Sequence, residues 1–326
     1  MQASLAFENA FEATLAGIKN TFRRGPAFGR LTPEMRFEGG VALVTGASSG
    51  LGFALAVELA RRGMQVWGAA RTATDEVTQK LRQAAGSDRI EMLPVDLGDL
   101  ESIAALVADI EARDLKFDLV ICNAAIVPTH DQRTPQGLEQ MEVVNFISTQ
   151  VLLHALHQRG RLAKHRARLP RIVIVSSEAH RGATELDPAQ IGEYRPFGVG
   201  DVIGLYGTYK LALTTLTVEL SRRLEGEASV HSLCPGAVDT NLAREAPRWS
   251  KPLIKLAFWL FFQDPAKAAE PVIYLGLAPQ IEGETGIYLH QWVRKDPDPR
   301  AMDGERGRAQ WETVEKVSHQ AASAEG

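Results

Sequence analysis

Only two cysteines, Cys122 and Cys234, occur in 326 residues, and both lie in apolar, strand-like runs. That scarcity argues against a disulfide framework and predicts buried thiols in a reducing compartment. No run reaches the roughly 18–20 uninterrupted apolar residues that a membrane-spanning helix requires. The N-terminus lacks a basic stretch followed by an apolar core, so a secretory signal is not expected. An excess of one charge sign is missing too: 36 Lys+Arg against 40 Asp+Glu leave a net charge of -4. Nothing in that balance calls for nucleic-acid binding. Internal repeats, low-complexity tracts and a linker through the middle of the chain are also lacking. Cytoplasmic residence is the expectation these absences leave.

What is present is an ordinary globular composition, 45% apolar and 23% charged. The length suits one large α/β domain with extensions. We place an amphipathic N-terminal extension at 1–38, the main domain at 39–290 and a C-terminal extension at 291–326. Two segments qualify the cytoplasmic expectation. Leu5, Phe7, Phe11, Leu15, Ile18 and Phe22 recur at helical spacing before Arg23 and Arg24, and residues 252–262 are intensely apolar but too short to span a bilayer. Both suit packing on the protein or on a partner subunit. They also suit a peripheral membrane contact or a lid over a greasy substrate.

Strand and helix signals alternate along the chain. Strands are expected at 41–45, 64–70, 90–95, 119–122, 171–176, 229–234 and 286–289. Helices are expected at 53–60, 75–85, 99–112, 138–159, 206–224 and 265–278. Such alternation predicts a doubly wound parallel sheet covered on both faces, with a ligand at the carboxyl ends of the strands. The basic run from Arg159 to Arg171 reads as a solvated helix end.

The first strand–helix turn reads Thr45-Gly46-Ala47-Ser48-Ser49-Gly50-Leu51-Gly52. Glycines there let the backbone turn tightly and approach a pyrophosphate, which the helix N-terminus attracts. The second strand ends without an acid, and Arg71 follows at once. An acid would bind a ribose 2′-hydroxyl, whereas an arginine accommodates a 2′-phosphate. NADP(H) is therefore expected over NAD(H), with Ser48 as a second phosphate contact. Far downstream, Tyr206 and Lys210 stand four apart, one turn along a helix face. An ammonium beside a phenol is expected to lower its pKa, and a tyrosine so tuned suits proton transfer to a carbonyl. The turn and the pair together point to nicotinamide-dependent redox chemistry.

Thr-Gly-x3-Gly-x-Gly at this position resembles the short-chain dehydrogenase/reductase family, and the resemblance extends over roughly 40–290. It implies a Rossmann-type fold in which Ser49, Gly50 and Leu51 join Gly46 and Gly52 around the cofactor. Asp96 and Leu97 look like the family's adenine contact. Cys122-Asn123-Ala124-Ala125 is similar to Asn-Asn-Ala-Gly, with Cys122 and Ala125 as departures. Asn145 occupies the place of the helix asparagine that holds a water in a proton relay. Ser177 matches the catalytic serine, while Ser176 should point the other way along an extended strand. Tyr206 and Lys210 fill Tyr-x3-Lys; Tyr209 has no lysine four residues on. Pro235, Gly236, Val238 and Thr240 match the segment beside the nicotinamide.

A narrower resemblance, to the retinol-dehydrogenase-like branch, rests on Ser176-Ser177-Glu178-Ala179-His180, Lys210-Leu211-Ala212, Glu219–Leu224 and Lys295-Asp296-Pro297-Asp298-Pro299. It implies a lipophilic aldehyde, ketone or alcohol as substrate, enclosed by a loop at 241–264, with Arg195-Pro196-Phe197 and Trp249 as candidate lining. The family also implies a homodimer through the helices at 138–159 and 206–224. A cofactor-binding scaffold or redox-sensing regulator of the same fold is the alternative. His154, His157 and His165 read as solvated histidines near a subunit contact, and no metal is expected.

Overall fold

The computed structural model describes residues 27–164, 168–236 and 263–323. The apolar stretches at 5–22 and 252–262 lie outside them, as do most of the substrate loop, His165, Val238, Thr240 and Trp249. Seven parallel strands and one antiparallel strand form a single sheet in the order β3-β2-β1-β4-β5-β6-β7-β8. They are β1 (Val41–Thr45), β2 (Gln65–Ala70), β3 (Ile90–Pro94), β4 (Leu119–Cys122), β5 (Arg171–Val175), β6 (Ser229–Cys234), β7 (Tyr288–His290) and β8 (Val293–Lys295). Every residue of β4, β5 and β6 is buried. That explains their continuous apolar runs: a parallel sheet covered on both faces has no side for water.

Successive strand residues alternate between two cores, as period-2 side chains must. Leu43, Val120, Ile172 and Ile174 join one. Val44, Ile121, Val173 and Val175 join the other. The first core is closed by helices α3 (Leu100–Ala112), α4 (Ser148–Gln158) and α5 (Val202–Arg223). The second is closed by α1 (Gly50–Arg61) and α6 (Pro265–Leu277), with α2 (Asp75–Ala85) beside them. Local chemistry sets several boundaries. Thr74 caps α2 by accepting from the Val77 N–H, Asp75 and Glu76 stand in its positive first turn, and Gly86 ends it in the left-handed region.

The structure departs from the expected pattern in four places. The helix expected over 138–159 carries a π-helical turn at Val143–Ile147, between a short α-turn at Gln140–Glu142 and α4. The helix of Tyr206 begins at Val202, so the tyrosine sits one turn inside it. Arg171 does not belong to a solvated run. It is 1% exposed and donates to the Leu275 carbonyl at 3.1 Å and to Glu282 Oε2 at 2.9 Å. Burial drops its pKa to about 10.

The fourth departure is the C-terminal segment, expected as an extension. It adds β8 to the sheet edge and continues as α7 (Gly304–Ser323). Trp311, buried on α7, meets the His154 ring at 5.2 Å, and the Arg223 guanidinium lies 4.4 Å from its ring centre. Gln150 of α4 donates to the Trp311 carbonyl and Gln310 donates to the Ala212 carbonyl of α5, both at 2.9 Å. Part of the face of the helices on which a homodimer was expected is therefore covered by α7.

His154 stands 3.6 Å from Glu315 and His157 2.8 Å from Glu227. Among the described residues no helix is long and apolar enough to cross a membrane.

Truncating the seal tests its weight. Trp311→Ala should destabilise the fold by about 3–5 kcal/mol, the usual loss for a buried tryptophan. Urea unfolding followed by circular dichroism measures it, and a loss below about 1 kcal/mol would show that α7 merely rests on the surface.

Candidate active site

Strand order reverses between β1 and β4, and ligands of open α/β sheets bind at that switch point, outside the carboxyl ends of the strands. A cleft of about 460 Å³ opens there. Gly46, Ser48, Ser49, Gly50, Leu51 and Gly52 from the β1–α1 turn line it, with Arg71 after β2, Asp96 and Leu97 after β3, and Asn123, Ala124 and Ala125 after β4. Ser177, Tyr206, Lys210, Pro235 and Gly236 line its other end. Asn145 does not reach the cleft. Residues that the sequence did not single out also line it: Thr72, Ile126, Val127, Pro128, Gln132, Gln140 and Val144. The position of 126–128, directly after the Asn123-Ala124-Ala125 run, was the one available signal for them.

The turn is a built cradle. A Cβ on Gly52 would lie 2.1 Å from the Gly46 carbonyl oxygen, so only glycine permits this closure. Ser49 makes no side-chain cap bond, and the first turn of α1 holds no acid. Its N–H groups and positive dipole end thus face the cleft without a competing carboxylate. Thr45 ties the neighbouring strand end in place: its hydroxyl accepts from the N–H of Asn123 (3.0 Å) and of Ala124 (3.2 Å). Asn123 Nδ2 in turn donates to the Thr45 carbonyl at 3.0 Å. Asp96 Oδ1 accepts from the Gly98 N–H at 2.9 Å, fixing that carboxylate at the rim. These residues fit a dinucleotide laid along the strand ends.

At the other end, Ser177 and Tyr206 line the cleft together, and the serine hydroxyl acts to lower the phenol's pKa. Ser176 turns away, its hydroxyl 2.7 Å from Thr214 Oγ1 in the core. Tyr209 also points elsewhere, towards the buried Glu139. Lys210, 2% exposed, donates to the Val175 carbonyl at 3.0 Å, with its Nζ 5.6 Å from the Tyr206 ring centre. Asn145 donates to the Ile126 carbonyl and accepts from the Ile126 N–H, both at 2.8 Å. Its amide thus holds the β4 exit through one donated and one accepted bond. Asn145 sits within the π-turn, which shifts the regular helical hydrogen-bond ladder around it.

The expected direction of the Tyr206 pKa is corrected. Burial raises it above the ordinary phenol value, and the Ser177 hydroxyl only partly offsets this. The lysine yields in the same way: burial drops Lys210 to about 8. At neutral pH the phenol therefore keeps its proton and the ammonium its charge. Both cysteines are unpaired and buried, and burial pushes Cys122 up to about 12.

Behind Tyr206 lies a buried apolar cluster of Met141, Phe197, Val202 and Tyr209, with Ile126, Val127 and Leu205 packed against it. Of these, Ile126 and Val127 line the cleft beside Tyr206.

Comparison with known proteins agrees. The short chain dehydrogenase family profile matches residues 40–187. Mouse polyprenol dehydrogenase is 33% identical over 285 residues, covering 84% of this chain and 82% of that protein. Human retinol dehydrogenase 14 is 33% identical over 300 residues, covering 85% of each. Among solved structures, an uncharacterised protein from Mycobacterium paratuberculosis has a TM-score of 0.68 at 24% identity, over 87% of this chain and 95% of that one. The angucycline C-6 ketoreductase LanV, solved with bound NADP, has a TM-score of 0.57 at 24% identity, over 78% of this chain and 96% of that one. The chain belongs to the short-chain dehydrogenase/reductase family, in its retinol-dehydrogenase-like branch. It is an NAD(P)-dependent oxidoreductase acting on alcohols or carbonyls.

Two outcomes follow from this geometry. Gly52→Ala should abolish detectable NADPH binding in a fluorescence titration, because its methyl collides with backbone. Unchanged affinity would mean that the cradle does not hold the cofactor. Lys210 binds its proton up to pH 10.5 when unfolded but only to about 8 when folded. The unfolded chain then holds more protons across that window, so stability rises with pH there. The wild type should gain stability relative to Lys210→Met between pH 8 and 10.5, and parallel stability–pH curves would refute this.

Proposed function

We propose that the chain transfers a hydride between NADP(H) and a lipophilic carbonyl or alcohol, with Tyr206 as the acid/base. The observation that carries this reading is the convergence of Ser177, Tyr206 and Lys210 on one end of the cleft, with Ile126 and Val127 lining it beside them. The nicotinamide supplies the hydride when bound. Gly46, Ser48, Ser49, Gly50, Leu51 and Gly52 would hold the pyrophosphate, and Asp96, Leu97 and Asn123–Ala125 the adenine side and its neighbourhood. Pro235 and Gly236 would face the nicotinamide. Arg71, exposed at the end of β2 with no acid nearby on that strand, supports a 2′-phosphate and hence NADP(H) over NAD(H). The NADP in the LanV structure supports the same choice.

Ser177 orients the substrate oxygen through its hydroxyl. Tyr206 gives that oxygen a proton during reduction and takes one during oxidation. Lys210 stays charged below pH 8 and offsets negative charge on the phenolate oxygen during the transfer. Asn145 holds the Ile126 backbone beside the substrate. The names polyprenol dehydrogenase and retinol dehydrogenase support an apolar, isoprenoid-like substrate shape, and Ile126 and Val127 line the cleft beside Tyr206. Val199 and Ile203, 75% and 60% exposed at the start of α5, support a peripheral membrane contact on this side. Co-sedimentation with anionic liposomes tests it, and its loss in Val199→Asp/Ile203→Asp would locate it.

NADPH consumption with a panel of lipophilic aldehydes and ketones, including decanal, tests the reading, with cofactor binding checked in parallel. Tyr206→Phe should lower kcat by about 10²- to 10⁴-fold, the usual range for loss of a general acid, and leave NADPH affinity intact. Wild-type rates in the variant would remove Tyr206 from the chemistry. Tight NADPH binding with no turnover of any panel member would favour the scaffold or redox-sensing alternative.

A further inference from the structure

The function above makes no use of the segment that follows β8. Lys295-Asp296-Pro297-Asp298-Pro299 leads into a 3-10 turn at Pro299–Met302. This strap lies against another 3-10 turn, Glu178–Gly182, whose N-cap residue is Ser177. His180 is enclosed between the two with 0% exposure. Its Nε2 is 3.1 Å from the Asp298 backbone nitrogen, and its Nδ1 is 2.6 Å from the Ser177 carbonyl oxygen. A backbone N–H only donates, so Nε2 is the acceptor and carries no proton. The ring proton then sits on Nδ1 and is donated to Ser177. The other tautomer would set donor against donor at Asp298 and lone pair against lone pair at Ser177. Burial lowers the pKa of His180 and keeps the ring neutral.

The strap is fastened on several sides. Arg300 donates to the Ala183 carbonyl at 2.7 Å and pairs with Asp298 at 2.8 Å. Arg181 donates to the Asp296 carbonyl at 2.7 Å, and Lys295 to Glu178 Oε2 at 3.2 Å. Tyr288 donates its hydroxyl to Glu178 Oε1 at 2.7 Å and meets the His180 ring edge-on at 5.3 Å. The opposite side of the turn presses on α5 beside Tyr206: a Cβ on Gly207 would lie 2.8 Å from the Ala179 carbonyl oxygen. The turn that begins at Ser177 is thus clamped between the helix carrying Tyr206 and a strap about 120 residues downstream, the separation of Arg300 from His180.

We propose that His180 is a positioning residue for Ser177, and that the Asp298 N–H selects the tautomer in which it acts. The chain of bonds runs from Asp298 N–H to His180 Nε2, and from His180 Nδ1–H to the Ser177 carbonyl. With its carbonyl pinned, Ser177 keeps its Oγ where it accepts from the Ala179 N–H at 3.2 Å and meets Tyr206. The proposal rests on the reading of Ser177 and Tyr206 as the reacting pair.

Two substitutions at one position isolate the lock. Asp298→Ala removes the carboxylate and keeps the N–H. Asp298→Pro removes both, and the native φ of -56° suits proline. Long-range proton–nitrogen NMR of the full-length protein should find the Nδ1–H tautomer at His180 in the wild type and in Asp298→Ala, and its loss in Asp298→Pro. With decanal and NADPH, kcat should fall about 10- to 100-fold further in Asp298→Pro than in Asp298→Ala, as a misplaced reacting group does, with NADPH affinity unchanged. His180→Leu should fall alike, and His180→Asn, which keeps a donor near the Nδ1 position, should recover most of kcat. An Nε2–H tautomer in the wild type, or equal kcat in the two Asp298 variants, would overturn the proposal. Wild-type turnover by Tyr206→Phe would instead remove the reading of the reacting pair and leave the tautomer spectra to decide the lock.

Discussion

Parallel pairing is the constraint on which the rest of the structure depends. Seven strands aligned in one direction bring their carboxyl ends to one edge of the sheet, and the reversal of order between β1 and β4 leaves that edge uncovered at one place. Thr45, Ala70, Asn123, Val175 and Cys234 stand at or just past strand ends, so residues up to 190 positions apart in sequence face one cleft. No loop has to be long for this to happen. The register does it, because Thr45 pairs with Ala69 and Val44 with Ile121, and each turn leaves the sheet at the same level. The glycine closure at Gly46 and Gly52 then works on a rigid base, since Thr45 and Asn123 have already joined two of those ends by hydrogen bonds.

Much of this was legible in the chain because buried parallel strands are continuous apolar runs and their connecting helices are amphipathic. The choice between Ser176 and Ser177 was legible for a simple reason: alternation sends neighbours to opposite faces, and Ser176 indeed meets Thr214 in the core. The start of α5 was less so. A helix buried on nearly every side shows no apolar stripe, and Gly204 and Gly207 interrupt what pattern there is. The π-turn at Val143–Ile147 is a shift in backbone pairing that leaves no mark in side-chain periodicity. Nor did composition reveal α7, whose outer face is polar and whose inner face holds few large apolar groups besides Trp311 and Val314.

Proximity arguments alone misjudged the electrostatics of the pair. Two residues one turn apart were expected to stabilise the phenolate, yet the ammonium is buried and anchored on the Val175 carbonyl. In such a place both charged forms are penalised by desolvation before they interact, so the phenol rises and the ammonium falls. The same burial sets the protonation states: at neutral pH the phenol keeps its proton and the lysine, lowered to about 8, keeps its charge.

The strap and α7 extend this reasoning to the end of the chain. The position of Lys210 depends on the rigidity of the elements around it, because its burial sets its charge. The α5 helix that carries both Tyr206 and Lys210 is held against the sheet on one side and sealed by Trp311 and Gln310 of α7 on the other. The turn after Ser177 is held by Arg300, Arg181 and His180 in the same way. The strap and α7 thus support the cleft end of the sheet although they contribute no group to the cleft. Part of that support passes through a backbone donor, the Asp298 N–H, which side-chain pattern does not display.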